Sequence, residues 1–158
     1  MNSDNLVKTL EKELAKKPRL AILGIGNSMR GDDGFGPLVI EKLKESKIKC
    51  VLIDGETVPE NYSGPIIKEK PELIVLLDCA NFGGYPGEIR IIDEKDIPCL
   101  SLSTHQMPIS FLTAYLKDET GARVLIIGVQ GKEFGFGEMT KKVRESAEKL
   151  ADLFIKSI

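Results

Sequence analysis

Long hydrophobic runs, a surplus of basic residues and cysteine motifs are all missing from this sequence. No apolar stretch approaches the ~20 residues of a membrane-spanning helix, so no span is expected. Lysine and arginine total 22 against 24 aspartates and glutamates, a net charge of −2. Without a basic excess, generic nucleic-acid binding is not expected. The opening segment MNSDNLVKTLEKELAKKP is charged throughout and has no apolar centre of a secretion signal. Cys50, Cys79 and Cys99 are odd in number, widely spaced and without a CxxC pair. They suit a reducing cytoplasm and buried packing positions, not a disulfide framework or a zinc knuckle. There is no GxSxG elbow, Walker lysine loop or HExxH, and DDG is not the Asp-Ser/Thr-Gly triplet of aspartic proteases. Histidine occurs once, as His105.

What is present is an ordinary globular composition, 42% hydrophobic and 29% charged over 158 residues. That length holds one domain with a full core, 1–158, in which 1–18 forms an N-terminal helical extension. Leu6, Leu10 and Leu14 share one face of that helix, which Pro18 ends. A helix packed on the flank is expected, with a partner-binding arm as the other reading. Apolar runs then alternate with helical patterns. Strands are expected at Leu20–Ile25, Lys47–Asp54, Glu72–Ala80, the edge-like GEIRIID and Ala122–Gln130. Helices are expected at about Gly34–Ser46, weakly at Glu60–Lys70 across Gly64 and Pro65, and at Met139–Ile158. Another follows STHQMP, with Ser and Thr in capping positions and Pro108 in its first turn. The alternation predicts an α/β fold, a doubly wound, mostly parallel five-stranded sheet in a three-layer sandwich.

The loop GIGNSMRGDDGFGP, Gly24–Pro37, joins the first strand to the first helix of that sheet. In such sheets ligands bind beyond the carboxyl ends of the strands. Asp32 and Asp33 lie there, open to service as helix caps, as ligands or as both. Asp33, Asp54 and Asp78 all fall at strand ends or just beyond, and His105 opens a helix, so the four belong to one rim. Two carboxylates and an imidazole meeting there make an O,O,N site for a divalent transition metal with positions left open. Aspartates that merely cap helices and a structural histidine are the plainer reading of the same residues. A dinucleotide fingerprint competes, since Gly24 and Gly26 fit its first two positions and Asp54 its acid, but Met29 stands where the third glycine belongs. Cys79 beside Asp78 is a nucleophile candidate with His105, although its apolar run favours packing.

Several stretches together resemble one family, the [NiFe]-hydrogenase maturation endopeptidases, and its HycI-like branch in particular. These are GIGNSMRGDDGFGP, the IDG turn with PEN downstream, LLDCANFGGYPGEIRIID, STHQMP with its helix, and GVQ, in the family's order from about Leu20 to Gln130. The resemblance implies a protease that removes the C-terminal extension of a hydrogenase large-subunit precursor after nickel insertion. It implies that Asp33, Asp78 and His105 are the metal-binding and catalytic residues. The nickel is carried by the precursor, and other divalent ions are expected to occupy the site in vitro. The partner is that precursor and the location the cytoplasm. Whether the metal polarises the scissile carbonyl, activates water or only positions the peptide stays open, as does a carboxylate base supplied by Asp33 or Asp78. The N-terminal helix departs from relatives that begin almost directly with the first strand. Glu56, where glycine is common after IDG, marks a local difference. A nucleotide-binding α/β domain and a non-catalytic scaffold for hydrogenase assembly are the alternatives.

Overall fold

A strand such as LIVLLDCA, apolar at every position up to Asp78, must be covered on both faces, and the helices supply the cover. The computed structural model describes residues 3–99, 101–102 and 107–158. The strands are β1 (Leu20–Gly24), β2 (Val51–Asp54), β3 (Leu73–Asn81), β4 (Ile89–Ile92), β5 (Ser101–Leu102) and β6 (Arg123–Gln130). The helices are α1 (Ser3–Leu14), α2 (Phe35–Glu45), α3 (Ser63–Lys68), α4 (Ile109–Thr120) and α5 (Lys141–Ser157). The main sheet runs in the order β2-β1-β3-β6-β4. β1, β2, β3 and β6 are parallel, and β4 lies antiparallel to β6 at the edge, as its alternation suggests. The two-residue β5 adds a short antiparallel pairing with Ala80 and Asn81, beyond the five strands expected.

Side chains of β3 alternate between two cores. Val75, Leu77 and Cys79 join Leu10, Phe35, Leu43 and Phe154 under α1, α2 and α5. Ile74, Leu76 and Ala80 join Ile66, Leu112 and Leu116 under α3 and α4. Helices thus lie on both faces of the sheet, the three-layer α/β arrangement. Leu6, Leu10 and Leu14 of α1 are all buried in the first core, so the helix packs on the flank. Each such leucine contributes roughly 1.5–3 kcal/mol of apolar burial.

The chain leaves β1 for β2 on one side and returns to β3 on the other. The gap between β1 and β3 is therefore the switch point of the sheet, where a crevice opens outside the strand ends. It is bounded by the loop after β1 and by the end of β3, the two segments that carry Asp33 and Asp78.

Several local expectations are corrected. Asp32 and Asp33 do not cap α2; they lie in a buried 3-10 turn, Gly31–Gly34, and α2 starts at Phe35 without a side-chain cap. β2 begins only at Val51, because Lys47 takes a left-handed φ of 58° and spends the preceding residues in a turn. The weak stretch from Glu60 divides into a 3-10 turn, Pro59–Tyr62, and α3; Gly64 and Pro65 fall in the first turn of α3, where proline loses no internal hydrogen bond. Pro108 stands just before α4 with an extended ψ of 137°, not inside the first turn. α5 starts at Lys141, two residues later than its pattern, because Thr140 is engaged elsewhere. Cys79 is buried as expected, whereas Cys50 is half-buried. The Ser103 and Thr104 caps, and His105, lie outside the described residues.

Candidate active site

The loop after β1 is shaped by close backbone approach. A Cβ on Gly24 would stand 2.6 Å from the Gly36 carbonyl oxygen, so β1 and α2 meet through their main chains. Gly26 has a φ of 135°, and a Cβ there would lie 1.8 Å from the Asp33 carbonyl oxygen. Only glycine fits such a place. The chain folds back until residue 33 covers residue 26, and the Asn27 amide donates to Asp33 Oδ2 at 2.8 Å. The two glycines of the apparent dinucleotide fingerprint therefore bring a carboxylate, not free amides, to this point. A phosphate would meet the charges of Asp32 and Asp33 there, which argues against a nucleotide site.

Asp33 is 8% exposed. While Oδ2 is held, Oδ1 is buried and has no hydrogen-bond donor among the described residues. Asp78 is wholly buried near the end of β3, and its Oδ1 accepts the Cys79 amide at 2.8 Å. Strand alternation puts Asp78 on the α3/α4 face, between Leu76 and Ala80. β5 pairs beside it, with Ala80 and Asn81.

Cys79 reports on the charge gathered here. Burial, and then the negative charges of Asp78, Asp33 and Asp32, push its thiol above the ordinary range. A thiolate nucleophile at Cys79 is thereby disfavoured, and packing is its role. Asp54 is not among those charges. Its Oδ1 accepts the Glu56 amide at 3.0 Å, and the residue lines a groove of about 790 Å³ beside α2 with Ser28, Gly34, Glu138 and Arg144. Of the acidic residues singled out by sequence, Asp33 and Asp78 thus share one neighbourhood with Asp32, and Asp54 serves its own turn. Among the described residues no group of three or more metal-capable side chains occurs.

Three further residues build this rim through partners that no local pattern shows. Asp32, wholly buried, accepts hydrogen bonds from Lys132, Glu133 and Thr140. Gln130 Oε1 accepts the Phe82 and Gly84 amides at 2.8 and 3.2 Å, and its Nε2 donates to Asn81 Oδ1, which fixes the turn after β3. Arg30 donates to the Phe134 carbonyl at 3.2 Å. These partners lie about fifty or a hundred residues away, so only the fold introduces them. Glu56 takes a left-handed φ of 51°, a conformation that favours glycine, and its carbonyl accepts the Gly26 amide at 2.8 Å.

The HycI model, hydrogenase maturation protease, matches residues 37–157. The hydrogenase 3 maturation protease of Escherichia coli strain K12 is 40% identical over 130 residues, covering 80% of this chain and 83% of that protein. Among solved structures, the [NiFe] hydrogenase maturation protease HycI from Thermococcus kodakarensis KOD1 superposes with a TM-score of 0.85 at 37% identity, covering 94% of this chain and 97% of that one. The solution structure of endopeptidase HycI from Escherichia coli gives 0.75 at 37% identity, over 84% of this chain and 86% of that one. The sheet order, the carboxylate-bearing switch point and these likenesses agree: the chain belongs to the HycI family of hydrogenase maturation proteases, and it is an endopeptidase.

Proposed function

We propose that this endopeptidase removes the C-terminal extension of a [NiFe]-hydrogenase large-subunit precursor once nickel has been inserted. Asp33 and Asp78 offer carboxylate oxygens and His105 an imidazole nitrogen to the nickel that the precursor already holds. The nickel is part of the substrate. The observation that carries this reading is Asp33 Oδ1, a buried carboxylate oxygen with no donor among the described residues. An anionic oxygen so placed calls for a cation or a proton. Asp78, on the adjacent strand end, adds a second carboxylate whose charge is felt at the same thiol. Carboxylate oxygens with one imidazole form a modest ligand set, suited to sharing an ion with substrate thiolates instead of sequestering it.

Once the peptide is bound, the ligand residues fix the C-terminal segment by its metal-bearing end and present one bond at the rim. A carboxylate oxygen of Asp33 or Asp78 can then accept the proton of the attacking water. Cytoplasmic location belongs to the same proposal. The free thiols of Cys50 and Cys79 suit a reducing compartment, and among the described residues no helix is long and apolar enough to cross a membrane.

The test is incubation of the protein with a C-terminally extended, nickel-loaded precursor, followed by mass measurement. One cut that releases the extension, with casein left intact under the same conditions, is expected. A precursor that remains full-length, or casein degraded alongside it, overturns the reading.

A further inference from the structure

Asp32 is as buried as any residue of the chain, yet no cation pairs with it among the described residues. Its Oδ2 accepts the backbone N–H groups of Lys132 at 2.8 Å and Glu133 at 3.0 Å. Its Oδ1 accepts both the backbone N–H of Thr140, at 2.8 Å, and its hydroxyl, at 2.9 Å. One carboxylate thus holds both ends of the loop between β6 and α5. Main-chain bonds reinforce the hold: the Asp32 amide donates to the Glu133 carbonyl at 2.8 Å, Gly31 to Gly137 at 3.1 Å, and Gly137 to Met29 at 3.1 Å.

The loop so fixed carries two phenylalanines outward. Phe134 is 40% exposed and Phe136 82%. The Arg30 guanidinium bonds the Phe134 carbonyl and lies 5.8 Å from the centre of the Phe136 ring. Met29, 66% exposed, follows the same loop edge. Large apolar side chains on a firmly tied loop lose little freedom when a partner covers them, the condition under which aromatic anchors bind best. The loop is tied to the residue next to Asp33.

We propose that Asp32 is a positioning residue, which clamps the loop 131–140 against the Asp33 turn so that Phe134 and Phe136 form a preset grip on apolar residues of the precursor beside the bond to be cut. This rests on the processing reading above. The clamp acts through the phenyl rings, and Asp32 itself never touches substrate. Asparagine in its place keeps the shape but turns an NH₂ group toward either the 132–133 amides or Thr140, so one pair of donors loses its acceptor.

Steady-state processing of nickel-loaded precursor, with kcat and KM resolved, and amide exchange of Lys132, Glu133 and Thr140 together test the clamp. The paired change Phe134→Ala and Phe136→Ala should raise KM about tenfold, leaving kcat within about twofold and amide protection unchanged. Asp32→Asn should speed exchange of the three amides and raise KM to a similar degree. Thr140→Val, which removes one donor and spares the carboxylate, should move both in the same direction by less. Asp32→Asn added to the phenylalanine pair should raise KM little further, since both act on one grip. A KM indifferent to the phenylalanines, or effects of the two changes that multiply, overturns the grip. If the unaltered protein leaves the precursor uncut, the processing reading falls and the grip with it, whereas cutting with an unmoved KM removes the grip alone.

Discussion

Neighbouring aspartates in GDDG have separate tasks, and substitution should tell them apart. Asp33 has one oxygen bonded to Asn27 and one without a donor among the described residues, so Asn in its place can keep the bond and lose only the charge. Asp33→Asn should fold as the parent does and lose precursor processing. Asp32→Asn strands buried donors and should cost about 1–3 kcal/mol of stability. Denaturant midpoints and processing rates of the two variants check this; a stable Asp32→Asn beside an active Asp33→Asn would reverse the roles. The thiols make a second prediction. Burial raises Cys50 to about 11 and Cys79 beyond the usual range. A thiol whose folded value is raised contributes stability that is whole below its unfolded value and is lost as pH climbs toward the folded one. The parent's midpoint should therefore fall more steeply between about pH 9 and pH 11 than that of a Cys50→Ala, Cys79→Ala variant. Parallel slopes would remove that link.

At the scale of elements, the chain is legible wherever a pattern is local. The apolar run of β3 and the leucine stripe of α1 each state their element and what it buries, and the alternation of β4 states a strand. Leu10 is 0% exposed within the core of α2 and α5, so Leu10→Ala should cost about 2–5 kcal/mol. A loss below about 0.5 kcal/mol in denaturant unfolding would make α1 an arm and not part of the core. Boundaries were less legible, for stated reasons. Lys47 shortens β2 by adopting a left-handed turn, and Pro65 reads as an interruption because a sequence does not show that it sits in a first turn. The two aspartates look like caps since the 3-10 turn that buries them depends on donors from residues 132, 133 and 140. Glu56 gives a further check on backbone shape. A left-handed non-glycine residue costs roughly 1–2 kcal/mol, and glycine gives back about 0.5–1 in chain entropy. Glu56→Gly should thus raise the unfolding midpoint slightly; a lowered midpoint would mean its side chain holds the loop in a way the geometry does not reveal.

Across the whole molecule, sheet order turns scattered residues into a site. Asp33 and Asp78 are far apart in sequence and come to the same end of the sheet because β1 and β3 are hydrogen-bonded neighbours flanking the switch point. Strand-end position was readable for both, and for Asp54 as well. What separates Asp54 is lateral order, since β2 stands one strand farther out, and order is not written in any single stretch. The tie between Asp32 and the loop before α5 is equally non-local. We propose, joining this geometry to chemistry, that the protein senses nickel in its substrate through Asp33, Asp78 and His105. The most direct measurement is the processing rate of one precursor preparation at graded nickel occupancy, for the parent and for His105→Ala. The account predicts a parent rate proportional to the nickel-loaded fraction, and a His105→Ala rate that stays at the nickel-free baseline throughout. A parent rate independent of nickel, or a His105→Ala variant that follows nickel as the parent does, would contradict it.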